Sequence, residues 1–467
     1  MKTKIIIILM AAALLATLTG CGETAALARV SSLTESAVSQ SESADAALIT
    51  PDETQASFNK IATLPETVLV EENGVKITAT GLTYTAYSVD LELTIENNSG
   101  KDLTFISGSL GYSCNSINGI MVNEGYLNCA VASGKKANDV MSFGYDVLQF
   151  YGINEIADME IAFDMTDDEY NSTYSGPCPL KTSAADTHDY SANLYQETIT
   201  SMAAMNTFGY EMVCFGQDAI YDQNGVILRS SGILRNQDGK TALLLELENT
   251  TDSMVYVGTS NIKINDLVVS SSTWSRDAIN PGKRRVVEVQ LSSVFNSSCW
   301  SAYGITEIGS VALSLEQFSE EGVSLAAKTP VEVVVPGASV SIDAAGSEIY
   351  NGNGLRIVSK TMQEEPSDFS ADLQLLLLAE NTSGRTLTIA DTYDSLSVNG
   401  VMTDYSFYSQ ELADGESAAL IIRLWESSLE DNQITSSADV QEVEMGFEIR
   451  EGYTTIDEPV VTIMFGK

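Results

Sequence analysis

The stretch Leu91-Glu92-Leu93-Thr94-Ile95-Glu96-Asn97-Asn98-Ser99-Gly100 is an apolar strand that stops on Glu-Asn and runs into small hydroxyl residues. It recurs as Leu243-Leu244-Leu245-Glu246-Leu247-Glu248-Asn249-Thr250-Thr251, and again as Leu375-Leu376-Leu377-Leu378-Ala379-Glu380-Asn381-Thr382-Ser383-Gly384. The other landmarks repeat around it in one order. A turn dipeptide stands at Asn73-Gly74, Asn224-Gly225 and Asn353-Gly354, and a second at Asn118-Gly119, Asn265-Asp266 and Asn399-Gly400. A third turn holds Gly134-Lys135, Gly282-Lys283 and Gly415-Glu416. Then come Gly152-Ile153-Asn154-Glu155-Ile156, Gly304-Ile305-Thr306-Glu307-Ile308 and, more loosely, Asp439-Val440-Gln441-Glu442-Val443, with Pro177, Pro330 and Pro459 before a last strand. One unit has been written three times.

The period is about 130–150 residues, enough for each copy to bury its own core. Inside the copies the pattern is β. Val89, Leu91, Leu93 and Ile95 alternate with polar residues, as do Met159, Ile161, Phe163 and Met165, so one face of each strand points inward. Asn-Gly supplies the two positive φ angles of a type I′ hairpin. Seven or eight alternating runs per copy, separated by short turns, predict an all-β chain of three tandem antiparallel sandwiches. Repeat 1 spans 66–184, repeat 2 spans 209–338 and repeat 3 spans 339–467. A short helix is expected before the Gly-Ile-x-Glu-Ile landmark, around Asp146 to Tyr151 and Ser292 to Tyr303. Residues 185–208 form an interdomain segment in which Leu194, Ile199, Met202 and Met205 define one helical face.

The start of the chain has a different character. Lys2 and Lys4 precede an apolar run from Ile5 to Leu18 that is short for a bilayer span, the pattern of a signal peptide over 1–21. It ends Leu18-Thr19-Gly20-Cys21, which is similar to the lipobox of bacterial lipoproteins. That resemblance implies a lipid on Cys21, a membrane partner through that anchor, and display on the outer face of the cell membrane. Residues 22–65, rich in Ser, Ala, Thr and Glu, read as a disordered tether with a reach of roughly 35 Å.

With 64 acidic against 24 basic residues, the 467-residue chain carries a net charge of −40. A nucleic-acid partner is excluded, because phosphate contacts require a basic footprint. The composition, 44% hydrophobic and 19% charged, suits a soluble, self-repelling globular protein.

The strand ending in Glu-Asn-x-Ser/Thr, the later Asn-Gly hairpin, the Gly-Lys turn and the final alternating strand together resemble the immunoglobulin-like modules of unknown function on Firmicutes surface lipoproteins. The likeness covers about 66–467 without the interdomain segment. It implies a sandwich displayed outside the cell of a Gram-positive bacterium, and it supplies no catalytic residues.

Candidate chemistry is sparse, and the expectation is a non-catalytic binding or display protein with no cofactor. The single histidine, His188, is expected to be solvated in a polar segment. Cys114 and Cys129 flank the Asn118-Gly119 turn six positions out of register, about 20 Å along a strand. That is beyond disulfide reach, so the cysteines after Cys21 are expected as free, mostly buried thiols. Asp164, Asp167 and Asp168 form a candidate calcium site, with hard oxygen ligands close together but without the spacing of an EF-hand loop. Tyr126, Trp274 and Phe407 each stand eight residues before the glycine of the third turn. They read either as core anchors or as stacking platforms for a cell-wall, glycan or protein ligand. Two alternative roles follow: a carbohydrate- or peptide-binding accessory to a transporter or enzyme, and an envelope sensing or maintenance lipoprotein.

Overall fold

The computed structural model describes residues 57–108, 115–217, 221–270, 275–294, 297–364 and 372–465. Cys21, residues 22–56 of the tether, Cys114 and Trp274 lie outside the described residues. The chain is all-β and divides into two compact units, Met1–Glu211 and Met212–Lys467.

The first unit holds copy one. Strands β1 (Thr67–Glu72), β2 (Val75–Tyr84), β3 (Ser88–Asn97) and β8 (Lys135–Gly144) form one antiparallel sheet in the order β1-β2-β3-β8. The second sheet is built on β9 (Asp158–Asp167), which pairs with β4 (Leu103–Ser107), β5 (Ser116–Ile117) and β10 (Ser172–Lys181). β4 pairs with β7 (Leu127–Val131), and β5 with β6 (Ile120–Met121). Val89, Leu91, Leu93 and Ile95 are buried on the inner face of β3, as the alternation requires. Helix α1 (Tyr145–Phe150) stands where the sequence placed one.

Residues 57–65 differ from expectation, and the interdomain segment is helical as expected but turns Tyr195, Ile199, Ala204 and Phe208 inward while Met202 is exposed. Residues 57–65, read as the end of the tether, are part of the first unit. Phe58, Ala62 and Leu64 are buried, the Phe58 ring lies 4.5 Å from that of Tyr145, and the Tyr84 hydroxyl donates to the Ala62 carbonyl at 2.8 Å. The interdomain segment carries α2 (Leu194–Ile199) and α3 (Met202–Phe208). Its Phe208 ring meets Phe150 edge-on at 5.5 Å, so much of it belongs to the first unit's core.

The second unit holds copies two and three, entered within β11 (Tyr210–Gly216). Copy two has β12 (Asp222–Gln223), β13 (Val226–Asn236), β14 (Thr241–Asn249) and β18 (Arg284–Val289) in one sheet. Its other sheet has β15 (Val255–Ile264), β16 (Leu267–Ser270), β17 (Ser275–Ile279), β19 (Ser310–Phe318) and β20 (Ser324–Val334). Helices α4 (Leu291–Val294) and α5 (Ser297–Trp300) precede a single turn at Ser301–Tyr303. Copy three repeats the plan with β21 (Ser347–Gly352), β22 (Leu355–Glu364), β23 (Leu373–Asn381), β27 (Tyr405–Phe407) and β29 (Ser417–Leu424) in one sheet. Its second sheet centres on β30 (Glu442–Glu451), paired with β24 (Leu387–Asp391), β25 (Ser397–Val398), β31 (Thr454–Asp457) and β32 (Val460–Met464). β26 (Val401–Met402) and β28 (Gln410–Leu412) lie at its margins, and helix α6 (Glu426–Asp431) occupies the place of α4 and α5. The strand pairs correspond copy by copy, with a bulge in the same strand each time, after Ala79, Leu228 and Ser359. Two-residue strands around the second turn raise the strand number above the seven or eight alternating runs.

Copies two and three are not separate bodies. β16 of copy two runs parallel to β29 of copy three, pairing Leu267 with Ser417 and Val268 with Ala418, so their sheets are continuous. Leu375, Leu377 and Ala379 face copy three's own core. Val358, Leu376, Leu378 and Ala419 face the opposite way, into the core of copy two. The Tyr303 hydroxyl donates to the Leu377 carbonyl at 2.9 Å, and Lys263 pairs with Glu416. Each fully buried leucine is worth about 1.5–3 kcal/mol, against at most about 1 kcal/mol for a partly exposed ion pair, so apolar burial dominates this seam.

Candidate functional site

The most conserved geometry among the three copies lies at the end of the quoted strand. Asn97, Asn249 and Asn381 are fully buried. Asn97 Nδ2 donates to the carbonyls of Lys101 and Val131 at 2.8 and 2.7 Å, while its Oδ1 accepts from the Ser99 amide and hydroxyl at 3.1 and 2.7 Å. Asn249 does the same with Ser253, Ile279 and Thr251, and Asn381 with Arg385, Leu412 and Ser383. The backbone carbonyls of the three asparagines accept from Gly134, Gly282 and Gly415, and the amides that follow them donate to Gly74, Gly225 and Gly354. The side chain therefore ties the strand end to the crossing chain, and the backbone on either side of it holds the two turns.

A second set works at the other hairpin. Asn118 Oδ1 accepts from the Ala157 and Asp158 amides, and its Nδ2 donates to the Glu155 carbonyl. Asn265 and Asn399 make the matching bonds to Glu307, Gly309 and Ser310, and to Asp439, Gln441 and Glu442. Both sets are structural: every polar atom is spent on the protein's own backbone. The preceding acids are exposed or half-buried ion-pair partners. Glu96 lies 3.9 Å from Lys136, Glu248 pairs with Arg229, and Glu380 with Arg356.

The aromatic position splits. Tyr126 is 60% exposed, and its hydroxyl accepts from Asn128 Nδ2 at 3.2 Å. Phe407 is half-buried on β27, edge-on to the core residue Phe447 at 6.0 Å. Phe407 packs at the edge of the core, whereas Tyr126 stands on the surface.

The acids proposed for calcium do not gather. Asp167 is held by Lys101 Nζ at 2.5 Å, by the Asn171 amide and side chain, and by the Glu169 amide. The Lys101 hydrogen bond, followed by those from Asn171, keeps its carboxyl well below the usual range. Asp164 is buried on β9 and Asp168 is exposed. Among the described residues no three His, Cys, Asp or Glu side chains converge as a metal site.

His188 departs from its expected solvation. Its side chain is 8% exposed, with Nδ1 3.2 Å from Glu155 Oε1 and the Tyr190 ring 4.7 Å away. Glu155 also accepts from Asn59 Nδ2 at 3.1 Å, so the histidine helps pin the start of the first unit. No sequence signal joined positions 59, 155 and 188.

Cys129, Cys178, Cys214 and Cys299 are free thiols, with Cys214 half-buried and the others buried. Burial, with a contribution from Asp139, pushes Cys129 up to about 11, which leaves it a poor nucleophile at neutral pH. One shallow depression, lined by Leu373, Leu429, Ile434 and Ser436 among others, encloses ≈ 50 Å³, room for a water or two. Surface apolar residues are most notable on copy three, where Val401, Met402, Tyr408 and Trp425 are 47, 59, 79 and 44% exposed.

These features define an all-β protein of three two-sheet modules whose main strand pairs correspond. No family model matches the chain, and no curated protein matches it. Among solved structures it is similar to a protein of unknown function from Porphyromonas gingivalis W83, at 11% identity, a TM-score of 0.14, and coverage of 48% of this chain and 91% of the other. An exo-chitosanase from Amycolatopsis orientalis is similar at 10% identity and a TM-score of 0.14, over 50% of this chain and 26% of that one. A bacterial ice-binding adhesin is similar at 9% identity and a TM-score of 0.14, over 80% and 90%. Likenesses this slight carry no functional argument.

Proposed function

We propose that this is a non-catalytic, lipid-anchored protein of the outer face of a Gram-positive cell membrane, with a binding or display role carried by immunoglobulin-like modules. The lipobox-like Leu18-Thr19-Gly20-Cys21 supports the anchor. The observation that carries the binding role is the exposure of large side chains, Tyr126 at 60% and Trp425 at 44%, on a fold whose strand ends and turns the repeated asparagines hold in place. Rigid presentation lowers the ordering cost of recognition. No helix among the described residues is long and apolar enough to cross a membrane.

The anchor is tested by metabolic labelling with an alkyne fatty acid in a Gram-positive host. Label on the wild type and none on Cys21→Ala is expected; equal labelling would sink the assignment. A second reading, an accessory that stacks a sugar or peptide, is favoured by the exposure of Tyr126. Tyr126→Ala should then lose retention on cell-wall glycan or envelope fractions without a change in melting temperature. Unaltered retention would remove that reading.

A further inference from the structure

Copy two seats copy three through a defined surface, and copy three carries the same surface unoccupied. In copy two, the apolar pair after the second turn, Leu267-Val268, is 0 and 2% exposed because β29 lies alongside it. The equivalent pair in copy three, by the pairings Val398 with Val401 and Ser397 with Met402, is 47 and 59% exposed on the outermost strand of its sheet. Copy one has the apolar pair Ile120-Met121 at the same place. Trp425, on the rim beside the Met402–Asp404 segment through its amide bond to the Asp404 carbonyl, adds to the exposed apolar area of copy three.

The occupant is constrained by what β16 receives. The seated module offers a free strand edge, there Ser417-Ala418, and an apolar outer sheet face, there Val358, Leu376, Leu378 and Ala419. Copy one of a second chain has the edge but not the face. By the same register its outer face reads Thr78, Glu92, Thr94 and Asn138, with Thr94 Oγ1 donating to Asn138 Oδ1 at 2.9 Å and Thr83 Oγ1 to Glu92 Oε1 at 2.5 Å. Burying those groups against an apolar rim would strand them. The first copy thus has the polar outer face expected of a capping repeat, and the chain does not add to itself.

We propose that the β26 rim of copy three, with Val401, Met402 and Trp425, is a docking surface for a β-sandwich module of another protein, one that presents an open strand edge beneath an apolar outer face. Docking is by parallel strand addition. The proposal deepens the binding reading by naming a protein partner, but its test needs neither anchor nor surface location, so loss of Cys21 lipidation would not touch it.

The test converts copy one into the stated partner. In the full chain, Thr78→Val, Glu92→Leu, Thr94→Leu and Asn138→Ala install copy three's outer face. Sedimentation velocity should show a monomeric wild type and a quadruple variant whose sedimentation coefficient rises with concentration in the micromolar range. Adding Val401→Lys and Met402→Lys should return it to a monomer. A quadruple variant that keeps its circular dichroism and stays monomeric would overturn the proposal. So would oligomers that survive the two lysines, or a wild type that self-associates through the same rim.

Discussion

At the scale of the residue, Asn97 accounts for more of the fold than the acid before it. Its amide makes four hydrogen bonds in a site closed to water, and its two equivalents repeat them. Asn97→Ala, Asn249→Ala or Asn381→Ala should each cost about 2–4 kcal/mol, because buried carbonyls lose their donor and a cavity opens. Urea titration with a native-like m-value measures it; a loss under 1 kcal/mol would show that water substitutes for the amide. The importance of this position was legible in principle. Asn recurs in all three copies with Ser or Thr two residues on, while the residue between varies. The Glu-Asn strand end does not show that the amide meets a carbonyl 34 residues along the chain, as Asn97 meets Val131. Glu288 was not legible at all. Desolvation of this half-buried carboxyl, with Asp277 nearby, raises it to about 7, against a lowering hydrogen bond from Gln290. The native state therefore holds a proton that the unfolded chain releases from about pH 4.5 upward, so stability falls as pH rises from 4.5 to 7. Glu288→Gln removes that loss. Relative to wild type, the variant should gain stability across this window, on the order of 1–3 kcal/mol by pH 8. Parallel stability curves would refute the assignment.

At the scale of the element, the turns were the most readable part of the chain. Asn73, Asn118, Asn224, Asn265, Asn353 and Asn399 all adopt φ between 45° and 55°, as type I′ hairpins require. Sequence alone does not rank these turns, because rank depends on what lies across from them. A methyl group on Gly74 would sit 2.6 Å from the Asn98 carbonyl oxygen, and on Gly354 2.5 Å from Ser383 Cα, whereas one on Gly119 meets nothing. All three glycines share φ near 80°, so conformational strain is common to them. Gly119→Ala should cost about 1–2 kcal/mol, and Gly74→Ala and Gly354→Ala clearly more. Thermal melts of the three variants decide it; equal shifts would mean that the strand end yields to the intruding methyl. The two-residue strands β5, β6, β25 and β26 escaped the alternation because two residues carry no period.

At the scale of the whole molecule, the triplication was plain from ordered landmarks, but the fusion of copies two and three was not drawn from it. The signal was present in composition. β3 alternates between buried and half-buried positions, whereas Leu243 to Leu247 and Leu375 to Ala379 are buried without a break. An antiparallel strand with one wet face alternates, and a continuous apolar run reports that both faces are covered. For β23 the second cover is copy two, through Val358, Leu376, Leu378 and Ala419. If that shared core sets the folding unit, copies two and three unfold together. Hydrogen exchange should give the amides of β16 and of the β29 half beside it one common opening free energy. Leu376→Asp, which puts a carboxylate into copy two's core while sparing copy three's inner face, should lower protection in both copies by the same amount, about 3 kcal/mol or more. Protection lost in copy three alone, with copy two unchanged, would show that the seam is a contact between independently stable modules. The distinction matters for the open rim on copy three: a module that folds as one with its neighbour at this surface is built to transmit docking at β26 as added stability, which ligand-free and rim-blocked forms would lack.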